Sequence, residues 1–415
     1  MRRHHSILAP AALALALALV VSPPAARSVD RSRLVAATKE DFLTGTWGGR
    51  RLEWAKRGID LGFTYTAAAY ENLSGGLACG GAVEGTADLN FACDLGKLAG
   101  WRETRFHVSA VAGHGTSIST KSVGDVNKIS NYYNDPGLYL HEVWLERGWL
   151  DNRLTLRVGK LSLDMAFPVY NYADTLTAPL YPTGGLGARL HYEPDKIWFF
   201  DLAAYDGDPN EPGLGVNRHG LRVRLARHEG ATLAGMVGFN HSYGENAPLP
   251  PGTWKAGAYH NTRDHADVRT GARHRGNHAF FLNGDQTLWR ENPKVKDDVQ
   301  GLALYLVAEV APPDRNTYHY GYGGGPFYTG LLPGRDADVL YLSLLYTRFS
   351  ARHAAASRAA GGPDYTSEAR WQLNYQIAVR KFFSLTPELS YVSRPGGTGG
   401  LRDATVLGLR TTLTF

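Results

Sequence analysis

The chain has 415 residues, with 44 Lys and Arg against 39 Asp and Glu, a formal net charge of +5 that gives no case for nucleic-acid binding. Charged residues make up 20%, aromatics 11%, and 48 Gly stand against 3 Met; this disfavours coiled coils and helical bundles and excludes intrinsic disorder. A hydrophobic share of 43% and a mean hydropathy of −0.28 exclude a polytopic helical membrane protein but not a β-barrel, whose strands show lipid only every second side chain.

Residues 1–28 read as a secretory signal. Arg2 and Arg3 begin it, Ile7 to Val21 form an apolar run too short to span comfortably, and Ala25, Ala26 and Ser28 offer a cleavage site, placed after Ser28. Residues 29–57 then make a periplasmic N-terminal segment and 58–415 the body of the fold. Export puts Cys79 and Cys93 in an oxidising compartment, which favours a disulfide. A strand ending at Cys93 would instead hold the two roughly 25 Å apart, beyond the about 7 Å that a bridge allows. The pairing stays open.

From residue 58 onward the pattern has period 2. Alternating segments fall near 58–70, 85–93, 103–113, 138–147, 153–161, 186–194, 196–206 and 218–228. They continue near 231–241, 278–290, 298–310, 315–329, 337–349, 369–381, 385–394 and 403–415. At 153–161, for example, Leu154, Leu156 and Val158 oppose Arg153, Thr155 and Arg157; at 218–228, Leu221, Val223 and Leu225 oppose Arg222 and Arg224. About sixteen segments is an even number, as a single-chain bacterial barrel requires, and segments of ~10 residues exceed ordinary sandwich strands. Short connections at 149–152, 194–195 and 229–230 alternate with long ones at 114–137, 162–185, 242–277 and 350–368. Short periplasmic turns and long outer loops are the outer-membrane pattern; the short connection 311–314 departs from it. Arg157, Arg222, Arg224, Arg380 and Arg410 on the inner face demand a water-filled channel, since a packed core could not bury them unpaired. Trp198, Phe200, Tyr341, Trp371 and Tyr375 suit the aromatic girdles at the lipid boundary. The expected fold is all-β, a transmembrane antiparallel β-barrel of about 16 strands.

At this point the chain resembles the carbohydrate-selective outer-membrane porins of the OprB type. The matching segments are Leu43-Thr44-Gly45-Thr46-Trp47-Gly48-Gly49-Arg50, Gly58-Ile59, Asn72-Leu73-Ser74-Gly75-Gly76, Tyr139-Leu140-His141 with Trp144-Leu145, and Arg157-Val158-Gly159-Lys160. Later ones are Ala311-Pro312-Pro313-Asp314-Arg315-Asn316, Gly330 to Asp336, Arg394-Pro395-Gly396-Gly397, Gly408-Leu409-Arg410 and Phe415. The resemblance implies a sixteen-stranded barrel in the bacterial outer membrane that passes glucose and related small sugars by passive, selective diffusion. It implies two long extracellular loops folded into the lumen, here 114–137 and 162–185. It also implies that Phe415 is read by the outer-membrane assembly machinery. Cys79, Cys93 and the His-rich stretch 259–278 depart from the family pattern.

A sugar is neutral and rich in hydroxyls, with apolar C–H faces. Charged and amide groups replace its water hydrogen bonds and aromatic rings stack on its faces, while binding must stay weak enough for release. Strand phase selects Arg105, Glu142, Trp144, Arg157, Arg189, Arg222, Glu309 and Arg410 as candidates for the lumen wall, and Asp164 and Tyr172 join them from the loop 162–185. Each competes with the bland reading of a solvated wall that never touches sugar. Mixed Arg, Glu and Asp argue against a pure anion channel. The expected partners are small neutral carbohydrates and outer-membrane lipid, with no cofactor and no nucleic acid; a homo-trimer and a monomer both remain open.

His260, His265, His274 and His278 with Asp264 and Asp267 carry metal-ligating types, but the spacing matches no tight motif and Arg263, Arg269, Arg273 and Arg275 would repel a cation; no metal is expected. No enzyme signature occurs: His141-Glu142 lacks the second His of HExxH, and neither GxSxG nor a Walker loop is present. The competing functions are a general or anion-leaning diffusion porin, a barrel enzyme with Ser117, His114 and Asp125 in an outer loop, and a surface receptor.

Overall fold

The structure, a computed structural model, describes residues 39–130, 132, 135–168, 180, 182–210, 217, 219–241, 250–295 and 298–415. Alternation of side chains makes each segment a strand, and the strands pair with their sequence neighbours until no edge is left. In chain order they are β1 (Ile59–Ser74), β2 (Gly80–Asp94), β3 (Thr104–Gly115), β4 (Gly137–Trp149), β5 (Leu154–Leu161), β6 (Gly185–Tyr192), β7 (Trp198–Asp206) and β8 (Ala231–His241). The second half is β9 (Gly252–Ala266), β10 (Arg273–Arg290), β11 (Gly301–Val310), β12 (Tyr318–Thr329), β13 (Val339–Phe349), β14 (Ser367–Arg380), β15 (Phe383–Ser393) and β16 (Ala404–Thr414). β1 pairs antiparallel with β16, closing a sixteen-stranded barrel.

Neighbouring residues part company at the wall. Leu202 is 62% exposed and Asp201, beside it, 1%. Leu89, Leu233, Phe280, Trp371 and Leu409 likewise point out, giving the apolar outer band that a barrel in lipid needs. Tyr341 was expected in that band and faces inward instead. It stands opposite Phe327, with ring centroids 5.7 Å apart, and shares its phase with buried Ser343, Leu345 and Thr347.

Two errors in the sequence reading cancel in the strand count. The described residues of 218–228 do not form a ladder strand: 221–226 carry no regular structure, and the next strand after β7 begins at Ala231. The expected loop 242–277 contains β9. Alternation misled because it is present at 221–225 without a ladder. Leu221, Val223 and Leu225 are all exposed, while Arg222 turns back onto Glu229. This segment runs beside the upper edge of β4, where Leu140 N–H donates to His219 O at 2.9 Å. The neighbouring β5 and β6 have eight residues each, fewer than the ~9–11 that cross a bilayer. The connection 311–317 lies at the same barrel end as 116–136 and 162–184 although it is short.

Cys79 and Cys93 are free thiols. Cys79 precedes β2 and Cys93 lies at the strand's other end, and the ladder of β2 with β1 runs from Gly80 to Cys93, about 40 Å of strand. Before β1, helix α1 (Arg50–Arg57) lies against the β1–β16 seam, and Leu43 N–H donates to Thr414 O at 2.8 Å.

Candidate functional site

Cross-strand register brings the charged residues of β3 to β6 into one row. Arg105 stands opposite Glu146, Glu146 opposite Arg157, and Arg157 opposite Arg189. Arg157 donates to Glu146 Oε2 through Nε at 3.1 Å and Nη2 at 2.9 Å; Arg105 Nη1 lies 3.9 Å from Oε1 of the same carboxylate. Like charges directly opposite repel, so Arg189 next to Arg157 needs its own acid: its Nε meets Asp201 Oδ1 at 2.6 Å. His191 Nδ1 reaches that oxygen at 3.1 Å.

A bulge sets the phase that makes this row. Ser109 of β3 pairs with Glu142 while Ala110 pairs with Leu140, so His141 is an extra residue on β4 and the inward face switches from Tyr139 to Glu142, Trp144 and Glu146. Trp144 carries the Arg157 guanidinium 3.8 Å from its ring centroid and His107 stacked at 4.7 Å. With both groups against it, the indole orients Arg157 rather than offering a free face. Its Nε1 donates to Glu142 Oε2 at 3.2 Å, and the other oxygen of Glu142 accepts from Ser162 N–H at 2.9 Å. Glu142 therefore ties the loop 162–184 to the wall.

The described parts of two connections pack inside the barrel. From 162–184, Leu163, Phe167 and Leu180 join a buried cluster with Tyr205, Met236, Tyr259, Phe281, Val307 and Leu345 of β7 to β13. From 116–136, Ile118, Val123 and Ile129 pack with Ala68, Tyr70, Ala82, Val392 and Val406 of β1, β2, β15 and β16. The segment Asn72–Ala78 receives this second loop: Leu77 and Ala78 N–H donate to Ser122 O at 2.8 and 3.0 Å. A Cβ on Gly76 would stand 2.6 Å from that oxygen, so the position requires glycine. Further along, Tyr132 lies under Arg410, whose Cζ is 4.8 Å from the ring centroid. Arg410 pairs with Glu388 at 2.8 Å, and Tyr70 O–H donates to Glu388 at 3.1 Å.

Of the residues selected from sequence, Arg105, Trp144, Arg157, Arg189 and Arg410 face the interior in two groups. Glu142 does so as a buried loop anchor, and Glu309 is inward and 3% exposed on β11. Arg222 is not on a wall strand: besides Glu229, it donates to Pro209 O at 3.0 Å, which spends it within the 207–230 connection. Asp164 accepts from Ser162 O–H at 2.5 Å; Tyr172 lies outside the described residues. The four histidines of 259–278 lie on β9 and β10. Glu146, Asp201, His107 and Glu388 were missed. Phase alone would have found Glu146, two residues from Trp144, whereas Tyr132 on its loop gives no periodic signal.

A family model described as "Carbohydrate-selective porin, OprB family" matches residues 79–415. The chain belongs to that family. OprB porins are outer-membrane channels, so this protein is a sugar-passing porin of the bacterial outer membrane rather than an enzyme. Its relatives include QuiX of Acinetobacter baylyi, named as a porin, 23% identical and covering 90% of this chain and 93% of QuiX. Porin B of Pseudomonas aeruginosa is 23% identical, covering 90% of this chain and 91% of its own. The high-pH structure of Pseudomonas putida OprB superposes with a TM-score of 0.81 at 19% identity, covering 91% of this chain and 99% of that one, and establishes the shared fold.

Proposed function

We propose that small neutral sugars pass through the section of the lumen where the Arg105–Glu146–Arg157–Arg189 row and the Arg410–Glu388–Tyr132 group present their guanidiniums to water. The observation that carries this reading is that both groups are fixed by acids and rings while their guanidiniums stay solvent-reachable. Arg105, Arg157, Arg189 and Arg410 side chains are 31, 21, 19 and 16% exposed. A guanidinium has five N–H donors. Arg157 uses two groups on Glu146 and keeps the rest for hydroxyl oxygens. Held in a fixed plane, such donors replace a sugar's hydration water at low ordering cost, and no group is buried deeply enough around the solute to trap it. The described parts of the loops 116–136 and 162–184 narrow this section.

In the same reading residues 1–28 are a cleaved signal, 29–57 and the short turns lie in the periplasm, and the loop-bearing end faces outward. Phe415 serves the assembly machinery. Liposome swelling with the purified protein tests the reading, comparing glucose, a disaccharide and a zwitterionic amino acid of glucose size. Fast swelling with glucose and slow swelling with the amino acid support it. Rates that follow solute size alone would reduce the protein to a general diffusion porin.

A further inference from the structure

We propose that Glu368 and Arg370 of β14 are positioning residues that latch the loop 116–136 in place and thereby set the largest sugar the channel admits; this rests on the sugar-channel reading above. The root of that loop is held by apolar side chains, Ile118 and Val123, both wholly buried. The stretch that follows adds a second kind of hold, through its main chain, beside the buried side chain of Ile129. Glu368, 0% exposed, accepts from Val126 N–H at 2.9 Å and Asn127 N–H at 2.6 Å. It also accepts from Gly396 N–H at 2.7 Å in the Arg394–Gly397 turn. Two positions along the strand and on the same face, Arg370 donates to the carbonyls of Lys128 and Ile129, the latter at 3.1 Å.

An acid thus takes the loop's amide hydrogens and a base takes its next carbonyls, so one strand complements both polarities of a short stretch of backbone. Hydrogen bonds with an ionised partner, as the Arg370 guanidinium supplies, are about twice as strong as neutral ones. Asn127 adds a side-chain contact, accepting from Thr347 O–H on β13 at 2.8 Å. On the far side of the loop, Thr86 of β2 donates to Tyr132 O. The latch therefore stands three residues before Tyr132, the ring that supports Arg410. Releasing it loosens the stretch before Tyr132 and leaves the apolar contacts of Ile118, Val123 and Ile129 and the barrel ladder in place. Glu368 and Arg370 do not line the sugar path; they act through the loop.

The test uses the full-length protein in proteoliposomes, with glucose and a trisaccharide as probes and trypsin as a second readout. Half-buried Lys128, flanked by buried Asn127 and Ile129, is protected while the loop is latched. In Glu368→Ala the trisaccharide-to-glucose rate ratio should rise by about fivefold, the factor that the free energy of roughly one hydrogen bond gives. Trypsin should then cut after Lys128, while heat-modifiable migration still reports a closed barrel. Glu368→Gln retains an acceptor and should fall between. If Glu368→Ala fails to assemble, Arg370→Leu carries the same expectation. An unchanged ratio with Lys128 still protected, in a folded variant, overturns the latch. Wild-type protein with no preference for sugars would sink the sugar reading instead, and the proteolysis result would still decide the latch.

Discussion

Arg51 and Phe415, 364 positions apart, meet at the barrel seam: Arg51 Nη1 donates to the main-chain oxygen of Phe415 at 2.8 Å. Its Nη2 donates to Leu61 O at 2.7 Å, so one guanidinium spans the last residue of the seam and the start of β1. Phe42 and Trp47 hold it, at 3.5 and 4.9 Å from Cζ to ring centroid, and only 5% of the residue is exposed. Trp47 of the Leu43–Arg50 segment thus has a physical role: with Phe42 it holds the Arg51 cation on the point where the first and last strands close.

Arg51→Ala should lower barrel stability, because two carbonyls lose a charged donor in a nearly dry site. Charge-assisted hydrogen bonds contribute about 1.5–3 kcal/mol each, so a total loss of about 3 kcal/mol is expected once water re-enters. The temperature at which the folded band converts to the unfolded band on a gel should drop. Arg51→Lys should recover part, since lysine supplies charge but not the planar fork. A conversion temperature equal to wild type in Arg51→Ala would remove the seam clasp from the account.

Glu146 shares its carboxylate between Arg105 and Arg157. Glu146→Gln leaves two adjacent guanidiniums and adds one positive charge to the lumen. A unit charge acts on an ion 4 Å away with about 1 kcal/mol even at the dielectric of water, which is about fivefold in relative occupancy. The reversal potential in a potassium chloride gradient should move toward that of chloride by a corresponding change in permeability ratio. An unmoved reversal potential would mean that ions do not pass this row.

Cys79 and Cys93 report sidedness. Cys79 is exposed at the loop-bearing end and Cys93 is half-buried at the end that carries the seam clasp. A membrane-impermeant maleimide applied to intact cells should label Cys79 and spare Cys93; Cys79→Ser should abolish labelling. Labelling that survives Cys79→Ser would reverse the assigned orientation.

Much of the barrel was legible because alternation is a local property. Arg105, Arg157, Arg189 and Arg410 could be placed inside from phase alone. β9 escaped because its faces barely differ: Ala256 and Ala258 alternate with Lys255, Gly257 and Tyr259. Packing requires that blandness, since a Cβ on Gly257 would lie 2.6 Å from the Phe281 ring and 2.3 Å from Gly235 O. The pairing of each arginine was not legible, because Glu146 meets Arg157 only through register, and register depends on the His141 bulge. Nor could sequence show that Glu368 holds Val126 and Asn127. That contact is made to backbone, which carries no side-chain signature.

Asp403 closes the turn between β15 and β16, and its ionisation should make that turn acid-sensitive. Its carboxylate accepts from Arg394 N–H at 2.9 Å and from Tyr391 O–H at 2.6 Å. These bonds, aided by the Arg394 charge and opposed by partial burial, hold the carboxyl below its ordinary range. A carboxyl lowered in the folded state stabilises that state when ionised. The contribution is complete above the unfolded value of about 3.9 and fades as pH falls through the lower folded value. Hydrogen exchange of the 394–403 amides, corrected for intrinsic rates, should lose protection only below about pH 4. Gly396, whose N–H also serves Glu368, should be among the amides released. Asp403→Asn keeps an oxygen acceptor but no charge, so its protection should be lower at neutral pH and nearly flat with pH. Wild-type protection that stays constant down to about pH 2, well below the ordinary carboxylate value, would show that the carboxylate does not govern the turn.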